Sequence, residues 1–248
     1  MLRACLTILL ALACAAPVVE AQSRNQRKPK ARSSTAKPPP PAAQPVREPP
    51  LMQCPSILGN GLTTQRLYCD VLSGQDAANG LRVTLPPHTG TATLYFTLHN
   101  RQTYSESEVK AGKAYARYTA TLRIAKPTGD AIGTAVVQSE FRTARDLVER
   151  IGGGAGPGGA KAVAPTGAEP IAVTLPEGVN EVMLVGDRLV VDRLTGREVV
   201  VGASSPGRPM AIVSQVEIEY RPARGTSAKR PQATDLSRPP QARGRAAD

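Results

Sequence analysis

The chain contains no tryptophan, two phenylalanines and six tyrosines among its 248 residues. It therefore lacks the run of aromatics on which sugar- and base-binding platforms usually stack. Histidine is equally scarce: only His88 and His99 are present. A zinc centre draws its ligands mainly from histidine and cysteine, so neither a metal nor another cofactor is expected. His88 follows Pro86-Pro87 and His99 ends an alternating segment, and no Gly-x-Ser-x-Gly elbow occurs. The pairs Glu106/Glu108 and Glu217/Glu219 have the spacing that puts both carboxylates on one face of a strand, as glycosidase or calcium chemistry could use. Ordinary solvated strands show the same spacing, and the expectation is a non-enzyme.

Long apolar runs are also missing. The one notable run, residues 6–16, is too short to span a bilayer. With Arg3 before it and Val19-Glu20-Ala21 after it, residues 1–21 read as a Sec-type signal peptide. This predicts a periplasmic or secreted protein. Lipoprotein processing at Cys14 is the alternative, although Ala11-Leu12-Ala13 sets leucine one place later than a lipid-attachment box wants. Of four cysteines, Cys54 and Cys69 lie beyond residue 21. In an oxidising compartment two cysteines fifteen positions apart are expected to form one disulfide.

The net charge of +11 suggests a nucleic-acid binder until it is located. Residues 22–49 carry seven basic side chains and one acidic, and residues 221–248 carry seven and two. Residues 50–220 carry sixteen of each. Charge concentrated in flanking segments attracts anionic surfaces in a salt-dependent way without shape specificity. The partners this implies are an envelope polyanion or a protein, not a specific nucleic-acid sequence. Residues 22–50, with Pro38 to Pro41 and little to bury, read as a disordered proline- and Lys/Arg-rich linker, and residues 221–248 as a disordered basic tail.

The remaining segment, 51–220, is dominated by alternation. Residues 113–124 place Ala114, Ala116, Tyr118, Ala120, Leu122 and Ile124 on one parity and Lys113, Tyr115, Arg117, Thr119, Thr121 and Arg123 on the other. That is a strand with one buried face. Similar alternation marks 65–72, 81–85, 92–100, 171–175 and 210–220, the last with Ile212, Val216, Ile218 and Tyr220 sharing a side; 131–141, whose two faces are less distinct, and 198–201 also read as strands. Gly186-Asp187 reads as a two-residue hairpin turn between 181–185 and 188–192. One helix is expected at 143–151, where Thr143 and Asp146 form a capping pair and Ala144, Leu147, Val148 and Ile151 share a face. The glycine-rich run 152–167 follows that helix instead of preceding one and lacks the Lys-Ser/Thr of a phosphate loop, so it reads as a flexible connector. Many short strands, frequent turns and one short helix predict an all-β, mainly antiparallel domain, a β-sandwich or jelly-roll-like body.

If 92–100 and 113–124 are neighbours, their polar faces juxtapose Tyr95 and Thr97 with Tyr115 and Arg117. Tyrosine hydroxyls and short polar groups on a rigid sheet make a candidate binding face. The expected protein is an exported, non-enzymatic β-sandwich acting by binding or assembly in the cell envelope. The alternatives are a hydrolase or sugar-active enzyme with an unrecognised site, and a polyanion binder acting through its basic ends.

Overall fold

The computed structural model describes residues 44–74 and 76–223. The expected signal peptide and most of both basic segments lie outside the described residues. Twelve strands and one α-helix follow in chain order: β1 (Val46–Glu48), β2 (Leu51–Gln53), β3 (Ser56–Asn60), β4 (Leu67–Leu72), β5 (Leu81–Thr84), β6 (His88–Thr103), α1 (Glu106–Lys110), β7 (Ala116–Ala125), β8 (Ala131–Phe141), β9 (Val163–Leu175), β10 (Glu181–Arg193), β11 (Gly196–Val201) and β12 (Pro209–Pro222). The first sheet has the order β3-β4-β12-β6-β9, with β1 also on β12. The second has the order β2-β5-β10-β7-β8, with β11 also on β10. The ladders are antiparallel throughout.

The inner faces of the two sheets make one core. From the first come Cys69, Val71, Leu94, Phe96, Leu98, Val213 and Ile218; from the second Leu81, Val83, Leu122, Ile124, Val137, Leu184 and Val191. Each large side chain buried here contributes roughly 1.5–3 kcal/mol. All six residues expected on the inner parity of 113–124 are buried. The fold is thus an antiparallel sandwich. Cys54 and Cys69 form the expected disulfide, with Cα atoms 5.7 Å apart, tying the segment after β2 in the second sheet to β4 in the first.

Several local expectations are corrected. Residues 46–48, read as the end of the linker, are β1. Residues 143–151 do not form an α-helix. The Thr143/Asp146 capping box is present, but it closes only a 3₁₀ turn at Ala144–Asp146. Beyond it Val148 N–H donates to Pro165 O, Leu62 N–H donates to Arg150 O, and Leu147 and Ile151 bridge Thr166 and Gly61. A nine-residue helix is marginal alone, and the backbone of a neighbouring strand offers it better partners. The α-helix lies instead in the polar connection after β6, where Ser105 caps it and Glu106 pairs with Lys110 at 2.9 Å. Glu106 and Glu108 are therefore helical, not strand neighbours.

Gly186-Asp187 is no hairpin: β10 runs through it with a bulge between Gly186 and Arg188. The glycine serves close approach, since a Cβ there would lie 2.6 Å from Met210 Sδ. β12 also carries a bulge, between Ser214 and Glu217, with Gln215 at φ 52°. One extra residue reverses the in/out parity. Val216, Ile218 and Tyr220 face the main core as expected, while Ile212 turns to the opposite side and packs with Leu58, Tyr68 and Ile151.

Candidate functional site

The four residues expected to share one binding face do not. Tyr95 and Thr97 lie on β6 in the first sheet, Arg117 lies at the start of β7 in the second, and Tyr115 directly precedes that strand. β6 and β7 sit across the core from one another, so their polar faces point in opposite directions. Both strands alternate identically, and alternation does not distinguish a neighbour within a sheet from an opposite across a sandwich.

On the outer face of the first sheet, the Arg47 guanidinium lies 3.9 Å from the Tyr95 ring centroid and pairs with Glu217 at 2.6 Å. Tyr95 Oη donates to Glu219 at 3.2 Å, and Thr97 Oγ1 donates to Gln215 Oε1 at 3.2 Å. Tyr220 Oη, on the inner side, donates to Glu48 at 2.7 Å. The Arg47 and Glu48 contacts hold β1 onto β12, the Tyr95 and Thr97 bonds tie β6 to β12, and Arg47 already covers one face of the Tyr95 ring. Glu217 accepts from Arg47 and anchors β1, while Glu219 accepts from Tyr95 and ties β12 to β6.

Further along the same face, residues 147–163 fold over the sheet and bury a polar layer. Glu149 accepts from the amides of Thr63 and Thr64 at 2.7 and 2.6 Å, from Thr64 Oγ1 at 2.7 Å and from Tyr68 Oη at 2.9 Å. Its carboxylate occupies the space a side chain at position 61 would need, which accounts for Gly61. Burial would raise the Glu149 pKa, but the bonds from Thr64, Tyr68 and Thr63 outweigh it and hold it below the usual range. Burial, then the bond to Glu149, pushes Tyr68 up to about 12. The glycine-rich run is bound into this layer: Lys161 N–H donates to Ile151 O at 2.8 Å, and Lys161 Nζ donates to Leu58 O.

Beside it, His99 and Ser214 have the connectivity of an activated serine. His99 Nδ1 lies 2.6 Å from Gly167 O, and Nε2 lies 2.8 Å from Ser214 Oγ. A carbonyl only accepts, so Nδ1 carries the proton, Nε2 accepts, and Ser214 donates. Burial, and to a lesser extent the nearby Arg66, lower the His99 pKa against the raising effect of the Gly167 bond, and the net lowering favours the neutral ring. Both residues are only 2% exposed. An acyl carbon has no approach to Ser214 Oγ in this arrangement, and the pair acts as a lock between β6, β12 and the start of β9.

The outer face of the second sheet is open. Cross-strand rows run Val136–Thr121–Arg188–Val201, then Gln138–Thr119–Val190–Val199, then Glu140–Arg117–Asp192–Arg197 over β8, β7, β10 and β11. Val136, Val199 and Val201 remain 47%, 47% and 45% exposed. Arg117 pairs with Asp192 at 3.0 Å, and Arg197 bonds the same carboxylate; Arg197, then Arg117, hold Asp192 below the usual range. Tyr115 Oη donates to Glu140 at 3.3 Å, with the Arg142 guanidinium 5.1 Å from its ring centroid. The result is a valine–threonine platform across four strands, closed along one end by charged pairs. Sequence reasoning identified its threonines, Tyr115 and Arg117, but passed over the valines. Val199 and Val201 flank the buried Val200, so their outward parity was the available signal.

The surface depressions are shallow. One of about 610 Å³ lies beside Cys54, between Arg82 and Gly207, and one of about 340 Å³ lies between Pro45, Thr89 and Arg221. Among the described residues no group of three or more His, Cys, Asp or Glu is placed to hold a metal ion, and no helix is long and apolar enough to cross a membrane.

No family model matches the chain, and no curated protein matches it. Among solved structures, an arabinose-bound α-L-arabinofuranosidase is 14% identical over 73% of this chain and 23% of its own, with a TM-score of 0.26. The VP2 subviral particle of infectious bursal disease virus is 12% identical over 73% and 38%, with a TM-score of 0.24. The T13 particle of that virus gives 13%, 73%, 36% and 0.19. This chain spans less than two-fifths of the length of each, and likenesses at this level carry no argument.

Proposed function

We propose that the chain is an exported, non-enzymatic β-sandwich module that works by binding or assembly in the cell envelope, through the outer face of its second sheet. The observation that carries this reading is the valine–threonine platform. Three valines stay exposed on it, two of them on β11, which has a ladder on one edge only among the described residues. The valine end of this edge-proximal strand, Val199 to Val201, offers a surface for another chain, its charged residues Arg197 and Glu198 lying at the other end. The flat, aromatic-poor character suits a protein partner better than a sugar, which would need ring faces to stack on. The leader-like residues 1–21 and the Cys54–Cys69 disulfide support export, since such bonds persist in oxidising compartments.

Retention of the protein on isolated envelope material at high salt tests the reading. V199D and V201D place a charge on the β11 edge of the platform without entering the core. Each should weaken retention by about tenfold or more if the platform is the contact, with an unchanged unfolding midpoint. Retention equal to the parent's by both variants would discard the platform.

A further inference from the structure

The charged row that closes the platform has an order of its own. Across β8, β7, β10 and β11 it runs Glu140, Arg117, Asp192 and Arg197, in direct cross-strand register. The signs alternate, beginning negative and ending positive. Taken from the other end, the row therefore carries the opposite sign at every place. Glu140 and Arg197, its two ends, are exposed. β8 and β11, which bear them, each have a ladder on one edge only among the described residues.

A pattern with this symmetry matches itself. A second copy turned face to face about a two-fold axis along the strands, midway between β7 and β10, lays its β11 over β8 and its β10 over β7. Glu140 then meets Arg197 of the second copy and Arg117 meets its Asp192, and the symmetry makes each contact twice. Every charge in the row has opposite charge beside it in its own sheet and opposite charge above it, the arrangement that favours one register over others. A two-fold axis along the row would instead set each charge against its own duplicate. In the neighbouring rows the favoured rotation places Val136 on Val201, Thr119 on Val190 and Gln138 on Val199. It also places Arg188 on Thr121, whose hydroxyl can accept from the guanidinium. Sheets packed face to face keep their strand axes within about 30° of each other, as this axis requires.

We infer that the platform docks a second copy of this chain, forming a two-fold dimer through the outer faces of the two second sheets. The second copy is thereby the partner of the surface proposed above, and the dimer rests on the platform being a contact surface. With strands about 4.8 Å apart and same-face residues about 6.8 Å apart, four strands and three rows give a footprint of about 400 Å² per copy, half of the roughly 800 Å² in a standard interface. The dimer belongs to the weak, transient class, formed where the chain is concentrated.

The test is sedimentation equilibrium of the full chain at concentrations up to about 1 mM. The parent should associate to a dimer and no further. E140R sets arginine against arginine at both 140/197 contacts, and R197E sets glutamate against glutamate at both. Each variant alone should dimerise about tenfold or more weakly than the parent. Mixed in equal amounts they should recover association to within about threefold of the parent, because both contacts between the two variants pair an arginine with a glutamate. Recovery on mixing also shows that both variants are folded, and a contact elsewhere on the sandwich would not produce it. A parent that stays monomeric at the highest concentration, or a mixture that associates no better than either variant alone, would overturn the dimer. Retention on envelope material separates this result from the reading it rests on. Retention lost in V199D and V201D beside a monomeric parent keeps the platform and rejects the second copy. Retention unchanged in those variants beside recovery on mixing rejects the envelope contact and supports the dimer.

Discussion

Removing the hydroxyl of Tyr68 should change the pH dependence of stability, not only its size. Tyr68 is fully buried, donates to Glu149 at 2.9 Å and has its pKa pushed up to about 12. In the unfolded chain it ionises near pH 10. Below pH 10 both states hold the phenolic proton and the contribution is complete. Between about 10 and 12 the unfolded state gives up its proton while the folded state keeps it. Stability from this group therefore falls by about 1.4 kcal/mol per pH unit and is lost as pH passes the folded value, for a total of about 2–3 kcal/mol. Y68F fills the same space and cannot ionise. At pH 7 it should cost about 1.5–3 kcal/mol, the range for a hydrogen bond to a charged group. Its alkaline limb should be shallower than the parent's by about 1.4 kcal/mol per unit. Tyr118, raised chiefly by burial, and Tyr220, raised to about 12 by burial and Glu48, leave part of that limb in place. The assay is urea unfolding followed by circular dichroism at pH 7, 9.5, 10.5 and 11.5. A Y68F limb as steep as the parent's would refute the coupling between Tyr68 and Glu149.

E149A, which orphans the Thr63 and Thr64 amides, should cost about 3–5 kcal/mol at pH 7, and a urea midpoint within error of the parent's would contradict the clamp. Reducing the Cys54–Cys69 bond, which closes a fifteen-position loop, should lower stability by about 3 kcal/mol, read as the difference in midpoint with and without reductant. G186A should cost about 1–3 kcal/mol by crowding Met210; if adding M210A recovers none of the loss, the crowding account fails. Neutral His99 contributes stability that is present above about pH 6.5 and is lost as pH falls through its lowered folded pKa. H99Q should flatten the stability curve between pH 6.5 and 5, and an unaltered acid limb would place that dependence elsewhere.

Much of the fold was legible because burial writes itself into a strand with a period of two. The inner parity of β7 was correct at every position, and β8 was bounded correctly at Ala131 and Phe141. The misreadings have local causes. At 143–151 a true capping box and an amphipathic spacing pointed to a helix, and only the distant partners Pro165 and Gly61 explain why the chain extends. Gly186 resembled a turn residue because sequence does not reveal whether a glycine serves a positive φ or an approaching methionine. The bulge at Gln215 inverted half of β12 with no glycine to mark it. The composite face of Tyr95, Thr97, Tyr115 and Arg117 failed for want of sheet membership, and the exposed valines were passed over because valine in a strand is usually core.

The place of β10 and β12 within their sheets has a consequence for assembly order. β12, last of the described strands in chain order, joins β4 and β1 to β6, and β10 joins β5 to β7. Before β10 emerges the second sheet is two unconnected pieces, β2–β5 and β7–β8; before β12 emerges the first is three, β3–β4, β6–β9 and β1. Closure then requires contacts of very long range, such as that between Tyr220 and Glu48, 172 positions apart. Topologies of this kind fold slowly, because loop closure must precede the contacts that stabilise it. A chain emerging N-terminus first would present strand pairs not yet joined into either sheet until β10 and β12 followed. The sandwich closes only when its last strand is in place.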